Sequence, residues 1–331
     1  MQISVIGAGS WGTSFARLTA NNGHSTYLWV RREGKAEKLT ETRENRQYLP
    51  GYRLPEENLT VSSSLSRAVN HAEILFFAVP SFAMREIARR ANGYLDGTNV
   101  HLVNLAKGLE AETFNTMSEV LAEEIESAKI FTLSGPSHAE EVAAGDPTAV
   151  VLAGDTGPGS TIQKGLSTDS FRIYLSSDLK GVEYCGAIKN IVAVATGVAQ
   201  GLGFGDNTTG TLIARGLAEM VRFGNSLGAT KETFFGLAGV GDLVATCTSE
   251  HSRNRRFGVR LGKGEKSEDI MEEMEMVAEG VHAAKIVHSL AEERDIAVPI
   301  TNSLYRVIYE GSSPSREVSK LMSREFKVEK V

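Results

Sequence analysis

Met1-Gln2-Ile3-Ser4-Val5-Ile6-Gly7-Ala8-Gly9-Ser10-Trp11-Gly12 opens the chain, and how it is read decides the fold. Residues 3–6 form a short apolar run suited to a buried strand, and residues 13–22 have helical composition. Between them Gly7, Gly9 and Gly12 stand in the spacing G-x-G-x-x-G. A strand, a tight glycine turn and a helix in that order leave helix N–H groups and the positive dipole end facing the turn. A pyrophosphate can then approach the backbone closely. The plainer alternative is a glycine-rich turn in some unrelated α/β fold, but the flanking strand and helix favour a dinucleotide cradle.

Working outward, residues 25–30, 74–79, 100–106 and 129–133 are further apolar strand-like runs separated by helical stretches. Near-continuous apolar strands separated by helices belong to a parallel sheet covered on both faces. Residues 148–153 and 171–175 are β-rich and extend that sheet. From about Gly181 the pattern turns helical over 188–200 and 212–227. It continues over 270–293, where Ile270, Met274, Val277, Val281, Ala284, Val287 and Leu290 share one face. Residues 305–309 and 318–322 also look helical, with Ser315 as a helix cap. The expected architecture is α/β: a Rossmann-type, doubly wound, mostly parallel sheet over residues 1–178, then an all-α domain over 179–331.

The 331 residues suffice for two domains, and 41% hydrophobic with 23% charged residues is a globular composition. Net charge is −6, from 35 basic and 41 acidic residues, which argues against a general nucleic-acid binder. An anionic substrate has to meet local positive charge instead. Cys185 and Cys247 form neither a C-x-x-C pair nor a disulfide framework, so no metal site is expected. The start of the chain lacks the pattern of a secretory leader, and no uninterrupted apolar run reaches about 18 residues. A cytoplasmic protein without a membrane span is expected.

Several polar groups stand out. A strict NAD site usually places an acid about 20 residues beyond the glycines, yet Arg31 and Arg32 occupy that region. A guanidinium can clamp a ribose 2′-phosphate, so NADP(H) is favoured over NAD(H), with Glu33 leaving room for some NAD use. Two solvated arginines at a strand end are the plainer alternative. Lys189 sits in Gly186-Ala187-Ile188-Lys189-Asn190, an apolar helix with no partner one turn away. Desolvation there would favour the neutral amine and suit an acid/base, unless the side chain snorkels to the surface. Asp242, in Gly239-Val240-Gly241-Asp242-Leu243, reads as a carboxylate on a tight glycine turn. Ser252-Arg253-Asn254-Arg255-Arg256 reads as a loop able to fork a phosphate, or else as a solvated basic face. Lys107 follows the run 100–106, at the strand end where open α/β sheets bind ligands.

Taken together these segments resemble the bacterial-type NAD(P)-dependent glycerol-3-phosphate dehydrogenases. The strings that carry the likeness are Gly7 to Thr13, Trp29-Val30-Arg31-Arg32, Asn45-Arg46-Gln47-Tyr48-Leu49-Pro50-Gly51 and Ala106-Lys107-Gly108-Leu109-Glu110. They continue with Ser134-Gly135-Pro136-Ser137, Gly186 to Asn190, Gly239 to Leu243, Ser252-Arg253-Asn254 and Val277-Ala278-Glu279-Gly280. The resemblance implies nicotinamide-cofactor contacts at Ser10, Trp11, Arg31, Arg32, Tyr48, Ala139, Val277 and Glu279. It implies that Lys107 and Arg253 touch both cofactor and substrate. It further implies substrate contacts at Gly135, Ser137, Asp242, Ser252 and Asn254, with Lys189 as the proton-transfer residue. The implied reaction interconverts dihydroxyacetone phosphate and sn-glycerol 3-phosphate, supplying phospholipid synthesis; the long apolar helices of the second half suit a homodimer.

One position departs from the pattern: His138 stands where the family commonly has Phe, and a packing or surface role suits it best. Two other readings share the architecture. A β-hydroxyacid dehydrogenase also carries a lysine on the first long helix of its second domain, though the Gly239–Asp242 and Ser252–Asn254 strings argue against it. A non-catalytic nucleotide sensor would have no need of Lys107, Lys189 and Asp242 together.

Overall fold

In a computed structural model, which describes residues 1–95, 100–126, 128–274, 278–325 and 328, the chain divides into two compact units, Met1–Leu179 and Lys180–Val331. The first unit contains β1 (Gln2–Ile6), β2 (Ser25–Trp29), β3 (Leu59–Ser62), β4 (Ile74–Phe77), β5 (His101–Asn104), β6 (Lys129–Ser134), β7 (Thr148–Ala153) and β8 (Phe171–Ser176). Its helices are α1 (Ser10–Asn21), α2 (Glu33–Thr42), α3 (Leu65–His71), α4 (Met84–Asn92), α5 (Met117–Glu124), α6 (Ala139–Ala144) and α7 (Thr156–Leu166). The strands form one sheet in the order β3-β2-β1-β4-β5-β6-β7-β8. All neighbours are parallel except β6 and β7.

Alternation along the strands feeds two cores. Ile3, Val5 and Phe76 pack on one face with Phe15 and Ile162, while Ile6, Leu75 and Phe77 pack on the other with Leu65, Ile87 and Val120. Both faces are therefore buried under helices, which is why the strands read as continuous apolar runs. The polar Ser4 within β1 is tolerated because its hydroxyl donates to the Ala68 carbonyl at 2.6 Å. Strand order reverses between β1 and β4, so the carboxyl end of β1 is the topological switch point at which such sheets bind ligands.

The second unit is helical among its described residues: α8 (Leu179–Gly201, its first residue falling in the first unit), α9 (Asp206–Ser226), α10 (Asp242–Thr248), α11 (Arg253–Gly262), α12 (Ser267–Glu273), α13 (Glu279–Glu293), α14 (Pro299–Tyr309) and α15 (Pro314–Met322). By length and composition α8 could cross a membrane, but its apolar window is 94% buried, as in a core helix. α8 and α11 meet backbone to backbone: a Cβ on Gly197 would lie 2.2 Å from the Arg255 carbonyl oxygen, and one on Gly258 2.1 Å from that of Val194. Only glycine permits this approach.

Several expected elements are redrawn. The helix after the glycine turn starts at Ser10 rather than residue 13, so the last glycine lies inside it. The single helix expected over 270–293 is two, because Met274 and Ala278 have extended backbones that end α12 and precede α13. Apolar positions on two helices happened to share one phase. The cap of α15 is Ser313, not Ser315: its hydroxyl accepts from the Arg316 N–H at 3.3 Å, and Pro314 takes the first helical position, where its missing N–H costs nothing.

Candidate active site

At the switch point the glycines divide the labour. Gly7 has φ +117°, open to glycine but strained for other residues, and an added Cβ would lie 2.6 Å from the Ala78 carbonyl oxygen. A Cβ on Gly12 would lie 2.0 Å from the Gly7 carbonyl oxygen, whereas one on Gly9 would meet nothing within 4 Å. Gly7 and Gly12 thus pull turn, helix and β4 together, and Gly9 leaves the space in front of α1 open. The N-cap residue of α1 is Gly9, which forms no side-chain cap bond, and a helix start of this kind suits phosphate oxygens. The residues present fit a dinucleotide.

Around this cradle, Trp11 is half-buried against Leu49 and Ala139, and the Ser14 hydroxyl donates to the Ala139 carbonyl at 2.8 Å. Arg31 and Arg32 leave the end of β2 exposed, and neither guanidinium has a partner among the described residues. Tyr48 is half-buried with the Lys35 ammonium 5.4 Å from its ring centroid. Asn45 received no role from the sequence. Its amide nitrogen donates to the Ala8 carbonyl at 3.0 Å and to the Thr13 hydroxyl at 2.8 Å, clamping the glycine turn. Its place in the string ending at Gly51 was the only signal for it.

At the carboxyl edge of β5 and β6, Lys107 donates to the Gly135 carbonyl at 3.0 Å, and the Ser137 hydroxyl donates to the same oxygen at 3.1 Å. This brings together three residues expected to touch substrate. His138, half-buried, precedes α6 as its N-cap residue without a side-chain cap bond.

The second unit assembles its own cluster. Lys189 is 5% exposed on α8, and its ammonium donates to the Asp242 carboxylate and, at 2.8 Å, to the Thr246 hydroxyl. Asp242 is 2% exposed, and the Thr246 hydroxyl donates to its backbone carbonyl at 2.7 Å. The partner absent one turn along α8 comes instead from a helix 53 residues away. Lys189 does not snorkel. Asp242 also stands differently from expectation: no residue from 237 to 241 has positive φ, and the segment is a π-helical turn running into α10. A carboxylate and a hydroxyl four residues apart on that helix share one face. Thr246 went unnoticed because only the folded helix pairs it with Asp242.

Ser252 to Arg256 are not a loop. The Ser252 hydroxyl caps α11, accepting from the Arg255 N–H at 3.2 Å, and the arginines fall in its first turn. Arg253 is half-buried there and Arg256 exposed. Buried Asn254 donates to the Asn190 amide oxygen at 2.9 Å and accepts from the Gly280 N–H at 2.9 Å. Asn254 therefore ties α11 both to the residue after Lys189 and to the start of α13, where Glu279 is half-buried. Val277 lies outside the described residues. Beside the cluster, Cys247 is 1% exposed, and burial pushes its thiol up to about 12, against a hydrogen bond with Thr196. It stays a thiol and offers no nucleophile.

A Rossmann-type sheet with an open helix start at its switch point, followed by a helical unit that buries a lysine on a carboxylate, defines a dinucleotide-dependent dehydrogenase. Comparison with known proteins narrows the class. Residues 2–157 match the family model for the N-terminus of NAD-dependent glycerol-3-phosphate dehydrogenase, and residues 178–319 match that for its C-terminus. The chain belongs to this family. It is 45% identical to a glycerol-3-phosphate dehydrogenase [NAD(P)+] from Exiguobacterium, covering 99% of this chain and 96% of that one. Against the corresponding protein of Pelotomaculum thermopropionicum it is 46% identical, covering 98% and 93%. The crystal structure of glycerol-3-phosphate dehydrogenase from Coxiella burnetii superimposes with a TM-score of 0.93 at 37% identity, covering 97% and 98%. A ketopantoate reductase at 14% identity and a D-mandelate dehydrogenase at 12% share the fold alone, with TM-scores of 0.64 and 0.61.

Proposed function

We propose that this chain is an NAD(P)-dependent glycerol-3-phosphate dehydrogenase that interconverts dihydroxyacetone phosphate and sn-glycerol 3-phosphate, with Lys189 as the proton-transfer residue. One observation supports the chemistry above the others: a lysine ammonium buried among apolar residues and held by Asp242 and Thr246. When bound, the reduced nicotinamide supplies the hydride for the ketone carbon. Lys189 hydrogen-bonds the ketone oxygen, stabilises the negative charge that develops there and gives it a proton. In the reverse direction the amine takes the alcohol proton. Asp242 and Thr246 fix the side chain so that little reorganisation accompanies proton transfer. Arg253 with Ser252 and Asn254 holds the substrate phosphate, and Lys107 with Gly135 and Ser137 touches substrate, Lys107 the cofactor as well.

On the cofactor side, Gly7, Gly9, Ser10, Trp11 and Gly12 receive the pyrophosphate. Arg31 and Arg32 favour NADP(H) over NAD(H), and Tyr48, Ala139, Arg253, Val277 and Glu279 complete the contacts. Cytoplasmic location, a homodimer and supply of glycerol 3-phosphate to phospholipid synthesis belong to the same reading. The test is oxidation of NADPH, and in parallel NADH, on addition of dihydroxyacetone phosphate, with a panel of 3-hydroxy acids and NADP+ as the competing chemistry. Turnover of the ketose phosphate alone is expected. Turnover of the hydroxy acids, or of nothing in the panel, would overturn the assignment.

A further inference from the structure

At the end of β5, three residues before Lys107, lies a side chain that neither the family likeness nor the proposed chemistry uses. Asn104, the last residue of β5, is completely buried. Its Oδ1 accepts from the Ala106 N–H at 2.8 Å, the Asx turn that asparagine makes with the backbone two residues on. Its Nδ2 donates to the Ala106 carbonyl at 3.1 Å and to the Thr132 hydroxyl of β6 at 3.3 Å. One amide thus grips both sides of Ala106, the residue directly before Lys107. The strand bond from the Leu105 N–H to the Phe77 carbonyl, at 2.9 Å, fixes the chain just ahead of it.

A buried amide has two donors and an acceptor that all need partners, so it is costly unless its geometry does something. Leu, Val or Ala would fill this strand end more cheaply. Asp would keep the bond to the Ala106 N–H but could donate to neither the Ala106 carbonyl nor Thr132. What the amide accomplishes is to turn the chain sharply at the carboxyl edge of the sheet. Lys107 then leaves from a fixed backbone and reaches the Gly135 carbonyl.

We infer that Asn104 is a positioning residue that acts through Lys107, holding its ammonium where it meets the ligands. This rests on the reading above in which Lys107 touches substrate and cofactor. A displacement of about 1 Å in such a group can cost on the order of a hundredfold in rate, and loss of the turn should displace it by less.

A double-mutant cycle of Asn104→Ala and Lys107→Ala in the full chain tests this, reading kcat, the KM for dihydroxyacetone phosphate and the Tm. Asn104→Ala is expected to lower kcat/KM about tenfold. In the Lys107→Ala background the same change should cost less than about twofold, because a group acting through Lys107 has nothing left to position. Asn104→Ser, whose hydroxyl can still accept from the Ala106 N–H, should recover part of the loss. If Asn104→Ala does not fold, Asn104→Ser and Thr132→Val complete the same cycle. Equal losses with and without Lys107 would mean a merely structural residue and overturn the inference. Full activity of Lys107→Ala would overturn the role given to Lys107 and this inference with it, an outcome distinct from additivity.

Discussion

The glycine turn of the first unit and the buried lysine of the second are built on opposite principles. Gly7, Gly9 and Gly12 act within six consecutive residues, and each is judged by what a single added carbon would meet. Lys189, Asp242 and Thr246 come from α8 and α10, 53 and 57 residues apart, and mean nothing until those helices pack. A local device can be recognised as a string, and it breaks by steric insult. An assembled device must be inferred from an oddity, such as a lysine without a neighbour, and it breaks by loss of charge balance.

The largest effect is expected in the assembled device. Lys189→Met should lower kcat by about 10³-fold or more, the upper part of the range for general acid–base groups. It should leave NADPH affinity within about twofold, a shift of under about 0.5 kcal/mol. It also strands the Asp242 carboxylate in the interior, which typically costs about 3–5 kcal/mol of stability. Adding Asp242→Asn should restore much of the Tm and none of the activity. Near-normal turnover by Lys189→Met would remove the lysine from the chemistry, and a Tm unaffected by either change would show that the pair is not buried in solution.

Next in size is a pair of substitutions within the local device. Gly12→Ala puts a methyl group 2.0 Å from a backbone carbonyl oxygen, an overpacking that costs at least about 1–3 kcal/mol. It should abolish measurable dinucleotide binding. Gly9→Ala meets nothing within 4 Å. It should keep the parent Tm while weakening dinucleotide binding about tenfold, near 1.4 kcal/mol, by occupying the space a phosphate needs. Identical behaviour of the two variants would sink the division of labour between these glycines.

The same contrast explains what could be read in advance. The sheet was legible because burial on both faces gives apolar runs, and β1, β2, β4, β5 and β6 all carry them. β3 escaped notice because Leu59-Thr60-Val61-Ser62 is short and half polar, and becomes a strand only by pairing with β2. Lys189 and Asp242 could be picked out singly, but the bond between them could not, since no spacing rule spans 53 residues. Asn254 could be read as a polar group beside a phosphate, but not as the tie to Asn190 and Gly280, partners that exist only after α8, α11 and α13 meet. Asn45 and Asn104 were passed over for the same reason: a buried amide is informative only when its partners are visible.

A smaller effect distinguishes two jobs at the end of β2. Arg31 and Arg32 are exposed and have no partner among the described residues, so replacing both with Ala should not disturb the fold. Each charge-assisted bond to a 2′-phosphate is worth about 1.5–3 kcal/mol. NADPH affinity should therefore fall at least about tenfold while NADH affinity stays within about twofold. Equal losses for both cofactors would assign the arginines to the adenine ring and remove the basis for an NADP preference.

The smallest effect on activity is expected at a local cluster in the second unit, which separates locality from membership of a unit. Glu317 is 2% exposed on α15. It accepts from Arg306 at 2.8 Å, Lys320 at 2.6 Å and Ser312 at 2.7 Å, all within 11 residues. Burial alone would raise its pKa, but these bonds prevail and hold the carboxyl down to about 2, against an ordinary value of 4.5. Because the folded value is depressed, the stabilisation is complete above about 4.5 and disappears as the pH falls to about 2. Glu317→Gln should thus cost about 2 kcal/mol near neutrality, with the gap from the parent Tm closing over that acid range. Its kcat at 25 °C should be unchanged, since the bonds described above that hold Lys189 come from Asp242 and Thr246 on α10. A gap constant from pH 7 to pH 2 would show that packing rather than charge holds α15. A loss of kcat as large as its loss of stability would show that even a cluster this local is coupled to the chemistry.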